Sequence, residues 1–341
     1  MRVLVTGGCG MIGYHVARHN RALGNEVFVV DNLERSSLLG HEVSQVRKYF
    51  NQVDLQKRGV TVINADISEE VVFDSIPPVD AIFHMAAQCG VPTSIANPRR
   101  DFQVNTLGTF NVLEFARETG APLVYASTNK VYPLHSMFTK EGSRWRFQND
   151  NYAKWGFPEN NSYHGARTPY GTSKYCGDLL CQEYSHTYGI RTGVFRMSCI
   201  YGPNQFGFEE QGWATWFLIA TLKGWPLTIF GDGDQVRDLL HVTDVVDAYM
   251  TFINSDVKHG IWNLGGGPDN TLSLKEHLNI CEEIFGKRSE VEYKDWRPLD
   301  QKTYVSDIRH VKRCLDWEPT IDPYEGLKDV AEWIESNPSV F

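Results

Sequence analysis

No stretch of this sequence approaches the roughly 20 consecutive apolar residues that a membrane-crossing helix needs. Positive charge is also in short supply. Against 42 Asp and Glu stand only 33 Lys and Arg, a formal net charge of −9, so overall electrostatics draws neither a nucleic acid nor an anionic membrane. The seven cysteines (Cys9, Cys89, Cys176, Cys181, Cys199, Cys281 and Cys314) are scattered, odd in number and include no C-x-x-C pair. That argues against a disulfide framework or a zinc site and suits a reducing compartment. No metal is expected. The N-terminus enters Arg-Val-Leu-Val-Thr without a cleavable signal pattern, and no repeat or low-complexity tract is visible. The expectation is a soluble, cytoplasmic protein.

What is present is ordinary globular material: 341 residues, 42% hydrophobic and 22% charged, enough for one large α/β domain with a smaller lobe. Short apolar runs at Val3–Thr6, Val27–Val30, Val60–Ile63, Ala81–Phe83, Leu123–Ala126 and Thr192–Arg196 read as buried strands. Helical spacing at Ile12–Leu23, Asp101–Glu118 and Thr172–Tyr188 lies between them. Such alternation predicts parallel strands joined by crossover helices, an α/β doubly wound sheet of Rossmann type. Beyond about residue 197 the pattern loosens. Helices at Trp213–Lys223, Thr243–Ile253 and Ser273–Phe285 and short strands at Leu227–Phe230 and Ile261–Leu264 predict a C-terminal α/β lobe on the sheet's carboxyl edge. The expected division is residues 1–197 and residues 198–341, with some elements of the second part returning to the first. The polar but aromatic-rich stretch Pro133–Thr168 reads as an ordered loop near a site.

The first strand runs straight into Gly7-Gly8-Cys9-Gly10-Met11-Ile12-Gly13. Glycines there allow a tight turn, let backbone amides approach a pyrophosphate, and let the helix pack against the strand. The second strand ends about 20 residues on at Asp31, where a carboxylate can accept from both ribose hydroxyls. A carboxylate there repels a 2′-phosphate and favours NAD. Arg35 keeps NADP open, or is a solvated surface cation. Asp66-Ile67 and Ala86-Ala87-Gln88 end the third and fourth strands beside the same pocket, Asp66 reading either as a partner of the adenine amine or as a helix N-cap.

Tyr170 and Lys174 lie one helical turn apart in Tyr-Gly-Thr-Ser-Lys and project from one face. A phenol with a pKa of about 10 is a poor base at neutral pH unless cations, here the lysine and an oxidised nicotinamide, stabilise its phenolate. The phenolate can then take a proton from a substrate hydroxyl while hydride leaves the same carbon. Thr128, at the end of the fifth strand, can hydrogen-bond that oxygen.

With these residues the chain resembles the extended short-chain dehydrogenases/reductases, the nucleotide-sugar epimerases, dehydratases and decarboxylases, from Arg2 to about Trp333. Asn105 in Asn-Thr-Leu-Gly-Thr, the run Gln235-Val-Arg-Asp-Leu-Leu-His241 and the set Arg297, Asp300, Asp307 carry the likeness further. The resemblance implies an NAD-dependent enzyme of Rossmann fold with Tyr170, Lys174 and Thr128 at its chemical centre. The cofactor would lie on Gly7, Gly10, Met11, Ile12, Gly13, Asp31, Asn32, Asp66, Ile67, Ala86, Ala87, Gln88, Asn105 and Lys174. The nucleotide sugar would meet Thr128, Cys199, Gln211, Arg237, Arg297 and Asp300, the two arginines gripping the diphosphate. Planar guanidinium suits bidentate pairing with phosphate oxygens, although Arg237 beside Asp238 also reads as a plain ion pair. Trp213, Trp216 and Phe217 line the nucleotide pocket or pack the core. A homodimer or homotetramer is implied.

After Thr128, dehydratases of this family carry an Asp-Glu pair that eliminates water. Here those positions are Asn129 and Lys130, neither able to replace a carboxylic acid, so dehydration is disfavoured. Ser-Thr-Asn-Lys-Val-Tyr, Glu210-Gln-Gly-Trp-Ala-Thr-Trp-Phe217 and Gln235-Val-Arg-Asp238 are similar instead to the CDP-tyvelose epimerases, which act at C2 of a CDP-sugar. Cys199 departs from the asparagine common in UDP-sugar epimerases, and Pro133 from the glycine usual after Val-Tyr. The alternatives are a UDP-hexose 4-epimerase and, more remotely, a dinucleotide-sensing regulator.

Overall fold

A computed structural model describes residues 1–35, 43–133, 137–160, 164–297 and 300–341. Its centre is a seven-stranded sheet: β1 (Arg2–Thr6), β2 (Glu26–Asp31), β3 (Thr61–Asn64), β4 (Ala81–His84), β5 (Leu123–Thr128), β6 (Thr192–Met197) and β7 (His259–Leu264). The spatial order is β3-β2-β1-β4-β5-β6-β7, and every adjacent pair is parallel. A reversal of strand order between β1 and β4 leaves a crevice at the strands' carboxyl ends, the usual ligand position in an open α/β sheet. The strand expected at 261–264 thus joins this sheet as β7, pairing with β6 from His259 onwards.

Strands buried on both faces need continuous apolar runs, and successive side chains then serve opposite cores. Val3 and Val5 pack in one cluster with Val27, Val29 and Phe83, while Leu4 packs in the other with Val30, Ile82 and Leu123. A third cluster, around Phe217, Leu218, Ile229, Leu278 and Val330, is the core of the smaller lobe. In that lobe Val236–His241 is a strand pairing with Cys199–Tyr201, Thr271–Ser273 and Thr303–Tyr304.

Two regions differ from the pattern-based expectation. The helix expected over 101–118 starts at Pro98 and widens into a π-helical turn, Gln103–Gly108, before continuing as Thr109–Thr119. Local bonding fits the distortion: the Thr109 hydroxyl donates to the Asn105 carbonyl at 2.7 Å, and the Asn105 amide is anchored outside its own helix. The described part of Pro133–Thr168 is not a loop. It holds an antiparallel hairpin, Phe138–Glu141 with Arg144–Phe147, and a short helix, Asp150–Trp155. Its Trp145 indole donates to Asp232 at 2.9 Å, tying the insertion to the smaller lobe. Residues 134–136 and 161–163 of that stretch lie outside the described residues.

The helix Pro169–Tyr188 begins on Thr168, whose hydroxyl accepts from the Gly171 N–H at 3.0 Å, with Pro169 suited to the first helical position. It is fixed to the sheet by Asp178, which receives Arg196 Nε at 2.8 Å, Arg196 Nη2 at 3.0 Å and the Ser127 hydroxyl at 3.0 Å. Asp178 and Arg196 are 0% and 1% exposed. Removing one partner of such a pair strands a buried charge, so Asp178→Ala is expected to lower unfolding free energy by about 3–5 kcal/mol. Urea denaturation measures this, and a loss below about 1 kcal/mol would place the pair among ordinary surface contacts.

Asp101 is the second buried carboxyl of these helices. It accepts from Gln88 Nε2 at 2.6 Å, and its other oxygen has no donor among the described residues. Burial pushes its pKa up to about 6, against the pull of the Gln88 hydrogen bond. A carboxyl raised in the folded state stabilises most below its unfolded pKa, and that contribution is lost as pH rises through about 6. Asp101→Asn should therefore stabilise the protein at pH 7.5 by on the order of 2–3 kcal/mol and have little effect near pH 4. Thermal midpoints of both proteins across that range decide it; a difference independent of pH contradicts it.

Candidate active site

A cavity of about 900 Å³ runs along the carboxyl ends of the central strands and is closed on its far side by the smaller lobe. Gly7, Gly10, Met11, Ile12 and Gly13 form its floor at one end, with Asp31 and Asn32 beside them. Gly7 has φ +68°, and a Cβ there would lie 2.5 Å from the Ala86 nitrogen. One on Gly13 would lie 2.2 Å from the Gly7 carbonyl oxygen. The turn is thus packed against the Met85–Ala86 backbone and against its own helix too closely for larger residues, and the first turn of the helix Met11–Ala22 opens onto the cavity. Asp31 accepts the Cys9 and Leu33 N–H groups, both at 2.9 Å. Burial lifts its carboxyl above the ordinary range, and these amide donors pull it back. The acid at the end of β2 and the glycine turn fit a dinucleotide, with the carboxylate where a ribose diol would lie.

Ile67, Ala86, Ala87 and Gln88 also line the cavity. Two residues expected to touch the cofactor stand behind its wall instead. Asp66 is held by an ion pair with Arg100, by Asn32 Nδ2 at 3.0 Å and by the Ser68 N–H at 2.9 Å, which together draw its pKa down to about 2 against the effect of burial. Asn105 is fully buried. Its side chain accepts the Gln88 N–H at 2.9 Å and donates to the Gln88 carbonyl and to Ser173 Oγ, each at 3.0 Å. Ser173 Oγ donates in turn to the Tyr170 carbonyl at 2.9 Å, so Asn105 acts on the site by fixing the Gln88 loop and the first turns of the Tyr170 helix.

Tyr170, Lys174 and Thr128 meet in the middle of the cavity, on the helix Pro169–Tyr188 and the end of β5. Lys174 is 2% exposed, its ammonium lies 4.1 Å from the centre of the Tyr125 ring, and burial lowers its pKa to about 8. Burial likewise pushes the Tyr170 phenol above its ordinary range, more than the Thr128 hydrogen bond pulls it down. The sequence pattern favours a stabilised phenolate, whereas burial of the phenol works against it and favours the protonated form. Asn129 is buried beside Thr128, its Oδ1 3.5 Å from the threonine hydroxyl.

At the far end, Arg237 Nη2 donates to Asp300 Oδ1 at 3.0 Å and to the Gln301 carbonyl at 2.6 Å. Its sequence neighbour Asp238 faces away, accepting the Ser306 N–H at 3.1 Å, so the simple neighbour pair is not formed. Arg297 lies 3.9 Å over the Phe230 ring and donates to the Glu209 carbonyl at 3.2 Å. Cys199 and Trp213 line this end as well, whereas Phe217 is core and Trp216 packs against Trp225. Gln211 sits between the two ends, accepting Arg35 Nε at 2.7 Å and donating to the Cys89 sulfur.

Several wall residues escape sequence reasoning. Arg35 is not a solvated cation: besides Gln211 it bonds the Phe206 carbonyl at 3.0 Å. Arg47 bonds the Gly207 carbonyl at 3.1 Å and lies 4.4 Å over the Phe208 ring. Nothing in the local pattern marks these contacts, because they join segments about 160–176 residues apart. Lys130, weighed only as a missing acid, lines the cavity with its Nζ 2.7 Å from Gln301 Oε1.

Residues 3–265 match the NAD dependent epimerase/dehydratase family. The chain is 31% identical to a CDP-paratose 2-epimerase of Salmonella typhi, covering 98% of this chain and 100% of that protein. It is 30% identical to a UDP-glucuronate 4-epimerase of Thermodesulfobacterium geofontis over 98% and 96%. Among solved structures it is similar to the UDP-glucose 4-epimerase of Thermotoga maritima with UDP-glucose (28% identity, TM-score 0.82, covering 99% and 100%). It is also similar to the UDP-glucose 4-epimerase of Thermus thermophilus in complex with NAD (29%, TM-score 0.78, 98% and 99%). The chain is an NAD-dependent enzyme and belongs to the NAD dependent epimerase/dehydratase family, the nucleotide-sugar branch of the extended short-chain dehydrogenases/reductases.

Proposed function

We propose that the enzyme epimerises a CDP-sugar at C2, a reaction of the CDP-paratose to CDP-tyvelose type, through a transient 2-keto sugar. The observation that carries the reading is the composition of the turn after β5. Thr128 is followed by a buried amide, Asn129, which cannot exchange a proton, and by a cation, Lys130, where elimination of water would call on a pair of carboxyl groups. The likeness to a CDP-paratose 2-epimerase supports the choice of sugar and base. UDP-hexose 4-epimerisation is the second reading, supported by the likeness to the UDP-glucose 4-epimerases.

NAD bound beside the sugar carbon would supply the hydride acceptor and donor that such an epimerisation needs. Thr128 orients the substrate oxygen, Tyr170 takes and returns its proton, and Lys174 contributes positive charge that favours the phenolate. Asp31 and the glycine turn hold the dinucleotide, while Arg237 and Arg297 hold the diphosphate, with Asp300, Gln211 and Cys199 completing that wall. Residues 1–197 carry the cofactor and the chemistry, and residues 198–341 mainly the substrate. A cytoplasmic location belongs to the same reading, supported by seven cysteines that are all unpaired.

We also infer a homodimer or homotetramer. Leu107, Phe110 and Leu179 are 47%, 41% and 45% exposed on the helical runs that hold Asn105 and Tyr170, an apolar face suited to a helical bundle between copies.

Tyr170→Phe should retain NAD yet lower kcat by about 10²–10⁴-fold, the usual worth of a positioned acid–base group. Turnover, with NAD counted after denaturation, tests this; near-normal turnover removes Tyr170 from the mechanism. Deuterium at C2 of the CDP-sugar should stay on the sugar through epimerisation. Its appearance in solvent would mean simple proton abstraction, and turnover of UDP-hexoses alone would favour the second reading. Leu107→Glu combined with Phe110→Glu should reduce the molar mass seen by light scattering to that of a monomer; an unchanged mass locates the interface elsewhere.

A further inference from the structure

Lys130 closes the turn after β5, its backbone N–H donating to Thr128 Oγ1 at 3.2 Å and its ammonium to Gln301 Oε1 at 2.7 Å. Gln301 follows Asp300, the carboxylate bound by Arg237 at 3.0 Å, and its own carbonyl takes a second bond from that guanidinium. The lysine side chain therefore spans the wall from the Tyr170–Thr128 pair to the arginine corner, and all of these residues line one cavity. An ammonium has three donors, and Gln301 accepts one of them without contributing charge. Burial and the Arg237 cation lower the lysine pKa to about 8 while Asp300 opposes them, so it is still mostly charged at neutral pH. A half-buried cation bonded to a neutral amide gains most from an incoming anion.

We propose that Lys130 binds the sugar-side phosphate of the nucleotide-sugar diphosphate and so favours presentation of C2 to Tyr170 and Thr128. The proposal rests on the nucleotide-sugar reading above and adds to it a residue that determines which carbon reacts. Connectivity supplies the argument. In a hexopyranose C2 is bonded to C1, which carries the diphosphate, whereas C4 lies across the ring. With C2 at the Tyr170–Thr128 pair, the sugar-side phosphate must fall against the adjoining wall, where Lys130 stands. With C4 there, the ring holds the phosphate away, and Lys130 faces hydroxyl or alkyl substituents that offer no anion. Arg237 and Arg297 remain available for the outer phosphate.

The test is calorimetric titration of the NAD-loaded enzyme, Lys130→Met and Lys130→Arg with CDP and with CMP. Losing one charge-assisted hydrogen bond should weaken CDP binding to Lys130→Met about tenfold or more, leave CMP binding unchanged, and be at least partly reversed in Lys130→Arg. Equal losses for CDP and CMP, or none for either, overturn the proposal. If Lys130→Met fails to retain NAD, Lys130→Gln takes its place in the same comparison. Parallel titrations with UDP and UMP separate the two readings. Tighter binding of UDP than CDP to the unaltered enzyme would defeat the choice of base under the proposed function, while the diphosphate-to-monophosphate contrast would still decide the role of Lys130.

Discussion

A carboxylate with no access to water, Asp178, takes two hydrogen bonds from Arg196 and one from Ser127, and the geometry of the whole site hangs on it. Arg196 belongs to β6, Ser127 to β5, and Asp178 to the helix Pro169–Tyr188, so one charge cluster fixes that helix against two strands. Lys174 lies one turn before Asp178, Tyr170 one turn before Lys174, and Thr128 directly follows Ser127. A shift of the helix along the sheet would separate the phenol from the threonine hydroxyl, and a misplacement near 1 Å is enough to cost about 10²-fold in rate. A hydrophobic contact would tolerate sliding. A bidentate Arg–Asp pair does not, because its directionality sets both rotation and register.

Asn105 works on the same helix from the opposite side. It is linked through Ser173 to the Tyr170 carbonyl and through two backbone bonds to Gln88. The π-helical turn that holds Asn105 makes that reach compatible with an otherwise regular helix. The Gln88 loop and the first turns of the Tyr170 helix are therefore positioned together, and a displacement of one is transmitted to the other. This arrangement accounts for the burial of Asn105 and for its absence from the cavity wall.

The central sheet and most of the site were legible in the sequence because each rests on short-range pattern. Apolar runs such as Leu123–Ala126 are buried on both faces, the glycine turn needs a defined backbone, and Asp31 stands at a strand end fixed by the strand before it. Tyr170 and Lys174 are one helical turn apart whatever surrounds the helix. The illegible part is long-range. Arg35 reads as a determinant of NADP or as a surface cation, and Arg47 carries no signal at all, until the segment 206–211 folds over them. Asp66 reads as an adenine partner or as a helix N-cap, and neither reading marks its ion pair with Arg100. The phenolate expected beside Lys174 was not legible either, because burial, which the sequence does not show, raises the Tyr170 phenol above its ordinary range by more than the Thr128 hydrogen bond lowers it.

The same long-range contacts close one side of the cavity. Arg35 and Arg47, which follow Asp31 in the sequence, reach across to the Phe206 and Gly207 carbonyls and to Gln211, and Arg47 stacks on Phe208. Opening the cavity on that side breaks three hydrogen bonds from cationic donors and exposes an aromatic face at once. Each hydrogen bond from a charged donor is worth about 1.5–3 kcal/mol, so together they favour the closed wall without by themselves barring exchange of whatever lies behind it.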